Sequence, residues 1–298
     1  MGPLAELHVH LEGSIEPETL REIDPSLTME AIAAAARYHD FDGFIQSYIW
    51  VNRRLRTPEH YAIAARRFFE TLEAQNVVYA EVTLSAGMML WKQQDFPAIY
   101  SALQHEAARA KPEIRWILDA VRQFGAEAAK PVFDLAAERV GEGVVAIGIG
   151  GAEAQGPAIW FEDLYKEARD RGLRLTAHAG ETVGPESIWA ALQIGAERIG
   201  HGVRAIEDPK LMEHLTKKNI PLEVSITSNV RTGAVASIKE HPVRKLFDAG
   251  VPIILNTDDP ALFGCTLEGE FELAGEEFGF SGDELADVAR NAFRYSFR

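Results

Sequence analysis

Short apolar segments rich in β-branched residues alternate along the chain with longer segments in which apolar positions recur every three or four residues. The first pattern predicts buried strands, and the second predicts helices with one apolar face. Strands that alternate with helices are typical of a parallel sheet, and eight such units favour a closed (β/α)8 (TIM) barrel of the α/β class over an open sheet. The eight predicted strands comprise residues 4–10, 77–85, 115–121, 144–150, 174–180, 197–202, 221–228 and 251–259.

The first connection is much longer than the others, since residues 11–76 separate the first predicted strand from the second. Residues 41–55 and 58–75 have helical patterns, so we expect a helical insertion over residues 15–75 of a single barrel domain, residues 1–298. An insertion after the first strand lies on the active-site face of a barrel, where it forms a lid over the pocket. The alternative is that these helices only brace the barrel wall. Further helices are predicted at residues 161–172, 208–219, 241–250 and 281–298.

Composition narrows the class of partner. The 298 residues carry a net charge of −15, which disfavours nucleic acid because binding to a phosphate backbone needs a basic surface. The single cysteine, Cys265, excludes an internal disulfide and indicates a reducing compartment. The first residues lack the pattern of a signal peptide, and no segment approaches a run of about 18 apolar residues. We therefore expect a cytoplasmic protein with a small-molecule substrate, no nucleic-acid partner and no membrane association; the oligomeric state stays open.

Chemically versatile side chains lie where the predicted strands end, which is the active-site edge of a barrel. Four of the nine histidines occupy such positions. The strand ends carry His8 with His10, Gly150 with Gly151, His178 followed by Glu181, His201, and Asp258 with Asp259. The other histidines, on helical or loop patterns, are His39, His60, His105, His214 and His241. This sorting indicates a functional cluster.

Three imidazoles and one carboxylate suit a catalytic divalent metal, zinc first, with one position left open for water. We predict one Zn²⁺ per chain, bound by His8, His10, His178 and Asp258, the last counted among the catalytic residues too. Such a metal lowers the pKa of its water toward neutrality. A glutamate three residues after the third histidine, Glu181, is placed to shuttle protons. His201 is placed to orient the attacking water and to stabilise charge.

Each part of this constellation has a simpler reading when it is taken alone. The His8–His10 pair is commonly structural or exposed, and a lone histidine such as His178 or His201 is usually a hydrogen-bonded core residue. The Asp258–Asp259 pair precedes a proline and resembles a helix cap. The joint placement at four separate strand ends favours the metal site over these readings.

The chain resembles the adenosine deaminase group of the amidohydrolase superfamily through motifs that extend over nearly its whole length. These motifs are ELHVHLEGS, RTPEHYA, HAGE, RIGHGVR, TSNVRTGAV and LFDAGVPIILNTDDP. The resemblance implies a barrel of the metal-dependent hydrolase type that converts a 6-aminopurine to the 6-oxo compound and ammonia. It also implies roles for the strand-end residues. His8, His10, His178 and Asp258 match the zinc ligands, Glu181 the acid that protonates purine N1, His201 the histidine beside the attacking hydroxide, Asp259 the partner of N7, and Gly151 the backbone N–H that meets N3.

Three departures from the family pattern bear on the substrate. Glu12 stands where adenosine-specific members commonly have an aspartate that holds the ribose 5′-hydroxyl, and its longer side chain crowds or re-aims that contact. Residues 225–229 read SITSN in place of a Cys-Pro-containing run. In residues 79–92, Ser85, Met88 and Trp91 replace the usual residues at the end of the second strand, where they shape the outer pocket or simply pack.

We therefore predict a deaminase of adenine nucleosides, either adenosine or a 5′-modified analogue such as 6-aminodeoxyfutalosine, the latter implying menaquinone synthesis. The alternatives are a deaminase of free adenine or another metal-dependent hydrolase. Hydrolases such as phosphotriesterases usually bridge two metals with a modified lysine near the end of the fourth strand, where this chain has Gly148, Gly150 and Gly151. A non-enzymatic relative should have lost a ligand, Glu181 or Asp259, and all are present.

Overall fold

The fold is an eight-stranded parallel β-barrel surrounded by helices. A computed structural model of the protein describes residues 2–298, and its strands are hydrogen-bonded in chain order from the first to the eighth. The (β/α)8 prediction is therefore confirmed. The strands are β1 Leu4–His10, β2 Val77–Leu84, β3 Glu113–Val121, β4 Val144–Gly150, β5 Arg174–Ala179, β6 Arg198–His201, β7 Leu222–Val224 and β8 Ile253–Leu255.

The barrel closes between β8 and β1 through a side chain, because β8 is only three residues long. The Asn256 side-chain oxygen accepts hydrogen bonds from the backbone N–H groups of Leu7 and His8, at 2.9 and 3.1 Å. Beyond it, the Asp258 N–H donates to the His8 carbonyl, and the His10 N–H donates to the Asp258 carbonyl. These contacts bring the C-terminal ends of the first and last strands side by side.

Helices cover the outer face of the barrel, and four of them form the long connection between β1 and β2. Their ends follow local chemistry: Thr57 caps the fourth helix, and Ser281 and Glu284 form a capping box on the last one. The helices are α1 Pro17–Ile23, α2 Met29–Ala35, α3 Phe41–Asn52, α4 Pro58–Ala74, α5 Ala86–Trp91, α6 Phe96–Ala107, α7 Ala126–Ala137, α8 Glu162–Asp170, α9 Pro185–Gln193, α10 Pro209–Lys218, α11 Ile226–Arg231, α12 Val243–Asp248, α13 Pro260–Phe263, α14 Leu267–Phe278 and α15 Gly282–Arg294.

The last two strands are shorter than predicted. The predicted strand at residues 221–228 ends at Val224, and α11 starts two residues later. The reason is the carboxylate of Glu270, which accepts a hydrogen bond from the Ile226 N–H at 2.7 Å and thereby favours a helix start over a further β-ladder. The predicted strand at residues 251–259 is regular only over Ile253–Leu255, because its continuation pairs through the Asn256 side chain.

A buried ionic network fills the barrel interior below the strand ends. Arg198, with 1% exposure, donates hydrogen bonds to Glu81 at 2.6 Å and to Glu223 at 2.5 Å. Phe297 packs against its guanidinium, 3.6 Å from the ring centroid, so the end of the chain covers this network. A paired and hydrogen-bonded arginine is the form in which a protein interior tolerates a charge. The network fixes Glu223 directly beneath the predicted metal ligands.

None of the helices in residues 2–298 combines the length and the apolar character needed to cross a lipid bilayer.

Candidate metal centre and active-site cavity

The four predicted metal ligands converge at one point of the barrel. Donor atoms of His8, His10, His178 and Asp258 all lie within 4.8 Å of one another. His10 Nε2 is 3.2 Å from His178 Nε2, and Asp258 Oδ1 is 3.4 and 3.3 Å from His8 Nε2 and His10 Nε2. In the described part of the chain, the buried His8 Nε2 has no hydrogen-bond partner. An orphaned ring nitrogen among three further donors fits a divalent cation of borderline softness, which is chemistry typical of zinc.

Partners outside the cluster orient the ligands. His8 Nδ1 is 2.7 Å from Glu223 Oε2, and His178 Nδ1 is 3.2 Å from the Ile149 carbonyl, so each ring turns its Nε2 toward the cluster. Burial opposes protonation of His8, yet the carboxylates of Asp258 and Glu223 raise its pKa to about 10. A cation that binds here displaces this proton, as is usual for histidine ligands.

Two of the strand-end residues have left-handed backbone conformations that are uncommon outside glycine. His201 has φ 63° and Asp258 has φ 66°. Such conformations cost about 1–3 kcal/mol and persist where the surrounding structure enforces them, which is commonly at functional sites. Here the turn at Asp258 is held by its backbone hydrogen bonds to β1, and its side chain accepts a hydrogen bond from Ser228 Oγ at 2.7 Å.

A directed hydrogen-bond chain fixes the tautomer of His201. The Val243 backbone N–H donates to His241 Nδ1 at 3.2 Å, so the proton of neutral His241 is on Nε2. His241 Nε2 then donates to the Asn229 side-chain oxygen at 3.1 Å, and the Asn229 amide donates to His201 Nδ1 at 3.0 Å. A backbone N–H can only donate, so the first bond fixes which nitrogen of His241 is the acceptor. The directions of the bonds from His241 to Asn229 and from Asn229 to His201 follow from it. Neutral His201 therefore carries its proton on Nε2, which is 3.7 Å from Glu181 Oε2.

Glu181 lies in a loop that one buried carboxylate organises. Glu153 accepts hydrogen bonds from the backbone N–H groups of all four residues 180–183, at 2.6 to 3.2 Å. The Glu181 side chain is buried, and burial raises its pKa well above the usual value. A buried carboxyl group with a raised pKa, set in a cavity wall, is suited to general acid catalysis.

The pKa values of the two adjacent aspartates are shifted in opposite directions. Burial opposes the ionisation of Asp258, but His8 and His201 hold its pKa well below the usual range. Burial and the charge of Asp258 raise the pKa of Asp259 well above its usual value. Gly13 packs against Asp259 so closely that a Cβ atom at this position would lie 1.7 Å from Asp259 Oδ1. A glycine at position 13 therefore leaves room for the Asp259 carboxyl group.

A cavity of about 500 Å³ opens above the cluster. Its inner wall carries residues of the strand ends, including Gly151 and the acidic Glu181 and Asp259, whereas the outer wall is largely apolar. The apolar and aromatic lining comprises Phe41, Phe44, Ile45, Tyr48, Ile49, Met88, Trp91, Val121 and Phe124. A volume of this size is typical of sites for small organic molecules, which are roughly 300–1,000 Å³.

Glu12 lies behind the cavity wall and has no exposed surface. Its carboxylate accepts hydrogen bonds from the Ser85 backbone N–H at 3.1 Å and from the Tyr48 hydroxyl at 3.3 Å. Ser85 and Tyr48 themselves line the cavity. Direct contact between Glu12 and a substrate stays a prediction, and in this arrangement Tyr48 and Ser85 stand between the two.

Sequence reasoning missed Asp119, at the end of β3. Its buried carboxyl group lines the cavity, and its Oδ1 has no hydrogen-bond partner within residues 2–298. Cβ atoms at Gly148 and Gly150 would lie 2.8 and 2.9 Å from its two oxygens, so these glycines make room for it. The glycines at the end of the fourth strand were the available signal. Glu153, Glu223 and Asn229 were also missed, because no local pattern marks them.

A metal-binding cluster at the C-terminal edge of a parallel barrel, beneath an open cavity, is typical of a metal-dependent hydrolase of the (β/α)8 class. Comparison with known proteins identifies the family: residues 3–298 match the family model described as adenosine deaminase. The chain belongs to this family, within the amidohydrolase superfamily, and is a metal-dependent hydrolytic deaminase.

Three relatives illustrate the range of the family. The chain is 38% identical to the aminodeoxyfutalosine deaminase of Streptomyces avermitilis, over 99% of this chain and 86% of that protein. Among solved structures, adenine deaminase from Arthrobacter aurescens superposes with a TM-score of 0.92 at 29% identity, covering 100% of this chain and 94% of the other. An amidohydrolase from Burkholderia ambifaria with bound zinc has a TM-score of 0.91 at 25% identity, covering 100% and 86%.

Proposed function

We propose that the protein is a zinc-dependent deaminase that replaces the 6-amino group of an adenine nucleoside with oxygen and releases ammonia. The observation that carries the proposal is the convergence of His8, His10, His178 and Asp258 beneath a cavity whose wall holds the buried carboxyl group of Glu181, the pKa of which burial raises. Zinc is favoured over other cations by the donor set and by the zinc in the related amidohydrolase. When bound, it would supply the Lewis acidity that makes hydroxide available from water near neutral pH.

The purine would be held by groups whose protonation states match its acceptors. Purine N7 is an acceptor and needs a donor; Asp259 is suited to this role because its raised pKa favours the protonated carboxyl group. Purine N3 would accept from the backbone N–H of Gly151, and N1 from Glu181. These three contacts leave C6 directed toward the cluster.

The chain's residues would then move protons around C6. Glu181 gives its proton to N1, which lowers the electron density at C6, and a water oxygen bonds to C6 while the water proton passes to Asp258. His201 donates a hydrogen bond from Nε2 to the attacking oxygen. The proton on Asp258 moves to the amino nitrogen, the C6–N bond breaks, ammonia leaves, and the hydroxyl proton returns to Glu181. Each donor meets charge that grows toward the transition state.

We propose that α3 is a lid over this cavity within one barrel domain, residues 1–298, because the wall includes four of its apolar residues. The C-terminal half of the helix is tied to the barrel by hydrogen bonds. Tyr48 binds Glu12, and Lys92 Nζ donates to the Asn52 carbonyl and side-chain oxygens at 2.8 and 2.9 Å and to the Leu55 carbonyl at 3.0 Å. These contacts favour a role in covering substrate over one in bracing the outer wall.

For the substrate we favour a 5′-modified adenine nucleoside, with 6-aminodeoxyfutalosine first and adenosine second. Two features support this choice: Glu12 is engaged by Ser85 and Tyr48, which leaves it less free to hold a 5′-hydroxyl group, and the relative at 38% identity is named for aminodeoxyfutalosine. The structural similarity to an adenine deaminase makes free adenine the competing substrate.

Steady-state kinetics on 6-aminodeoxyfutalosine, adenosine and adenine tests the proposal. We expect the highest kcat/KM for one of the two nucleosides. An equal or higher value for free adenine would refute the nucleoside assignment. In the same assay, Glu181→Gln should lower kcat by about 10²–10⁴-fold while the zinc content stays at one per chain. Turnover that survives this substitution would refute the role of Glu181 as proton donor.

A further inference from the structure

Arg198, the first residue of β6, is buried in the barrel interior and does not line the cavity. Each of its three guanidinium nitrogens donates to a different acceptor. Nε donates to Glu223 Oε1 at 2.5 Å, Nη2 to Glu81 Oε2 at 2.6 Å, and Nη1 to the Tyr295 carbonyl at 3.0 Å. The Phe297 ring covers one face of the guanidinium. A planar group that is held at three nitrogens and on one face has a single orientation.

The two glutamates beside this guanidinium use their second oxygens as well. Glu81 Oε1 accepts hydrogen bonds from the Tyr79 hydroxyl at 2.8 Å and from the Phe297 backbone N–H. Glu223 Oε2 lies 2.7 Å from His8 Nδ1. The Glu223 carboxylate therefore cannot rotate without breaking either its bond to the guanidinium or its bond to the His8 ring.

The network holds one guanidinium for two buried carboxylates. Apart from Arg198 and the His8 ring, no cationic side chain of residues 2–298 lies within 4.0 Å of Glu81 or Glu223. A buried carboxylate needs a compensating positive charge. The second charge has to come from the His8 side of Glu223, which is where the metal ligands converge. The charge balance of the network therefore extends to the metal centre.

We propose that Arg198 is a positioning residue for the metal centre, because it holds the Glu223 carboxylate at the angle that turns His8 Nε2 toward the other metal ligands. The inference rests on the proposed zinc site and extends it to the far side of the barrel interior. The three acceptors of Arg198 do not include a metal ligand, so its effect has to pass through Glu223. The alternative is that the network only stabilises the closed barrel.

The test measures the Kd for Zn²⁺ by chelator competition on the full-length protein, after removal of bound metal. Arg198→Lys keeps the charge but loses the planar group, because one ammonium cannot occupy the positions of three guanidinium nitrogens. We expect the Kd to rise by roughly tenfold, the lower end of the range for groups that orient metal ligands. Phe297→Leu is the milder variant and keeps the test decisive if the lysine variant does not fold. It removes the aromatic face and should raise the Kd by roughly threefold.

A second background separates positioning from a general effect on the fold. In Glu223→Gln the route from Arg198 to His8 is already broken. Adding Arg198→Lys should then change the Kd by less than about twofold, because two substitutions on one route are not additive. An equal rise in both backgrounds would overturn the proposal, and so would an unchanged Kd in the folded single variants.

Arg174 is the matched control. Its guanidinium lies over the same Phe297 ring, 4.6 Å from the centroid, but it is exposed and pairs with a different glutamate, Glu197. Arg174→Lys should leave the Kd for Zn²⁺ unchanged. A rise equal to that of Arg198→Lys would show that packing at Phe297 sets the affinity, and would overturn the proposal. Absence of zinc binding by the wild-type protein would instead refute the proposed function.

Discussion

Asn229 offers the sharpest test of the chemistry, because it links the backbone N–H of Val243, through His241, to His201 and so determines which ring nitrogen of His201 carries the proton. Its amide nitrogen donates to His201 Nδ1 at 3.0 Å, and its oxygen accepts from His241 Nε2 at 3.1 Å. Asn229→Asp keeps the shape and size of the side chain and still accepts from His241. It removes the one hydrogen-bond donor that residues 2–298 offer to His201 Nδ1, so a carboxylate oxygen then faces a ring nitrogen that must itself become the donor.

The magnitude follows from the two tautomers of His201. The Nδ1–H form gains a charge-assisted hydrogen bond to the new aspartate, worth about 1.5–3 kcal/mol, whereas the Nε2–H form leaves two acceptors in contact. A preference of about 3 kcal/mol reduces the population of the Nε2–H form roughly 100-fold, since 1.36 kcal/mol is a factor of ten. We expect kcat to fall by about the same factor. The imidazolium form gains as well: burial lowers the pKa of His201 to about 4, and an aspartate beside the ring should raise it.

The assay combines kcat, zinc content and the ¹⁵N spectrum of histidine-labelled enzyme, which distinguishes the two tautomers. Asn229→Leu is the informative comparison, because it removes the donor without supplying a competing acceptor; we expect only a roughly tenfold loss of kcat. Asn76→Asp, at an exposed position, controls for the added charge. A kcat for Asn229→Asp within about threefold of wild type, or a leucine variant that is the worse of the two, would show that the tautomer of His201 does not govern turnover.

Three further substitutions test the surroundings of the site. Glu153→Gln should lower the midpoint of thermal unfolding by roughly 5 °C, because about 3 kcal/mol of charge-assisted hydrogen bonds to residues 180–183 is lost; an unchanged midpoint contradicts this. Glu223→Gln should weaken zinc binding by about 10–100-fold in a chelator competition titration, and a Kd within twofold of wild type would contradict a role in orienting His8. Burial raises the pKa of Glu270 to about 7, above the ordinary value of 4.5. The protonated side chain therefore contributes its full share to the free energy of unfolding below pH 4.5, and this contribution is lost as the pH rises through about 7. Urea denaturation should show roughly 3 kcal/mol of such loss between about pH 5 and pH 8. Glu270→Gln should remove this component and Glu268→Gln, at an exposed position, should retain it.

The barrel could be predicted from the sequence because its signals are local. Each strand is a short apolar run that can be recognised without reference to the rest of the chain. The C-terminal ends of parallel strands meet at one edge of the barrel, independently of loop conformation. His8, His10, His178 and Asp258 therefore come together in the structure as their places at the strand ends indicated. The ends of β7 and β8 could not be predicted, since they depend on the Glu270 carboxylate and the Asn256 side chain, which act across the fold.

The groups that orient the site are distant in sequence from the groups they orient. Glu223 is 215 residues from His8, and Glu153 precedes the loop it organises by 27 to 30 residues. No periodicity links such pairs, because the contact exists only after the barrel has closed. Asp119 shows the one indirect signal available: the glycines at 148 and 150 leave space on β4 that a side chain from β3 fills.

Asp258 and Asp259 show how consecutive residues of one type acquire opposite roles. Asp258 faces three imidazoles, which favour its anionic form, while Asp259 faces Asp258 and Gly13 in a buried site, which favours its neutral form. The two states are linked, because the negative charge on Asp258 contributes to the raised pKa of Asp259. If a cation withdraws charge from Asp258, the electrostatic contribution to the raised pKa of Asp259 weakens and burial alone must hold the proton. Removal of the metal should therefore favour the neutral form of Asp259 further, so the proposed contact of Asp259 with purine N7 depends on the charge of the metal centre.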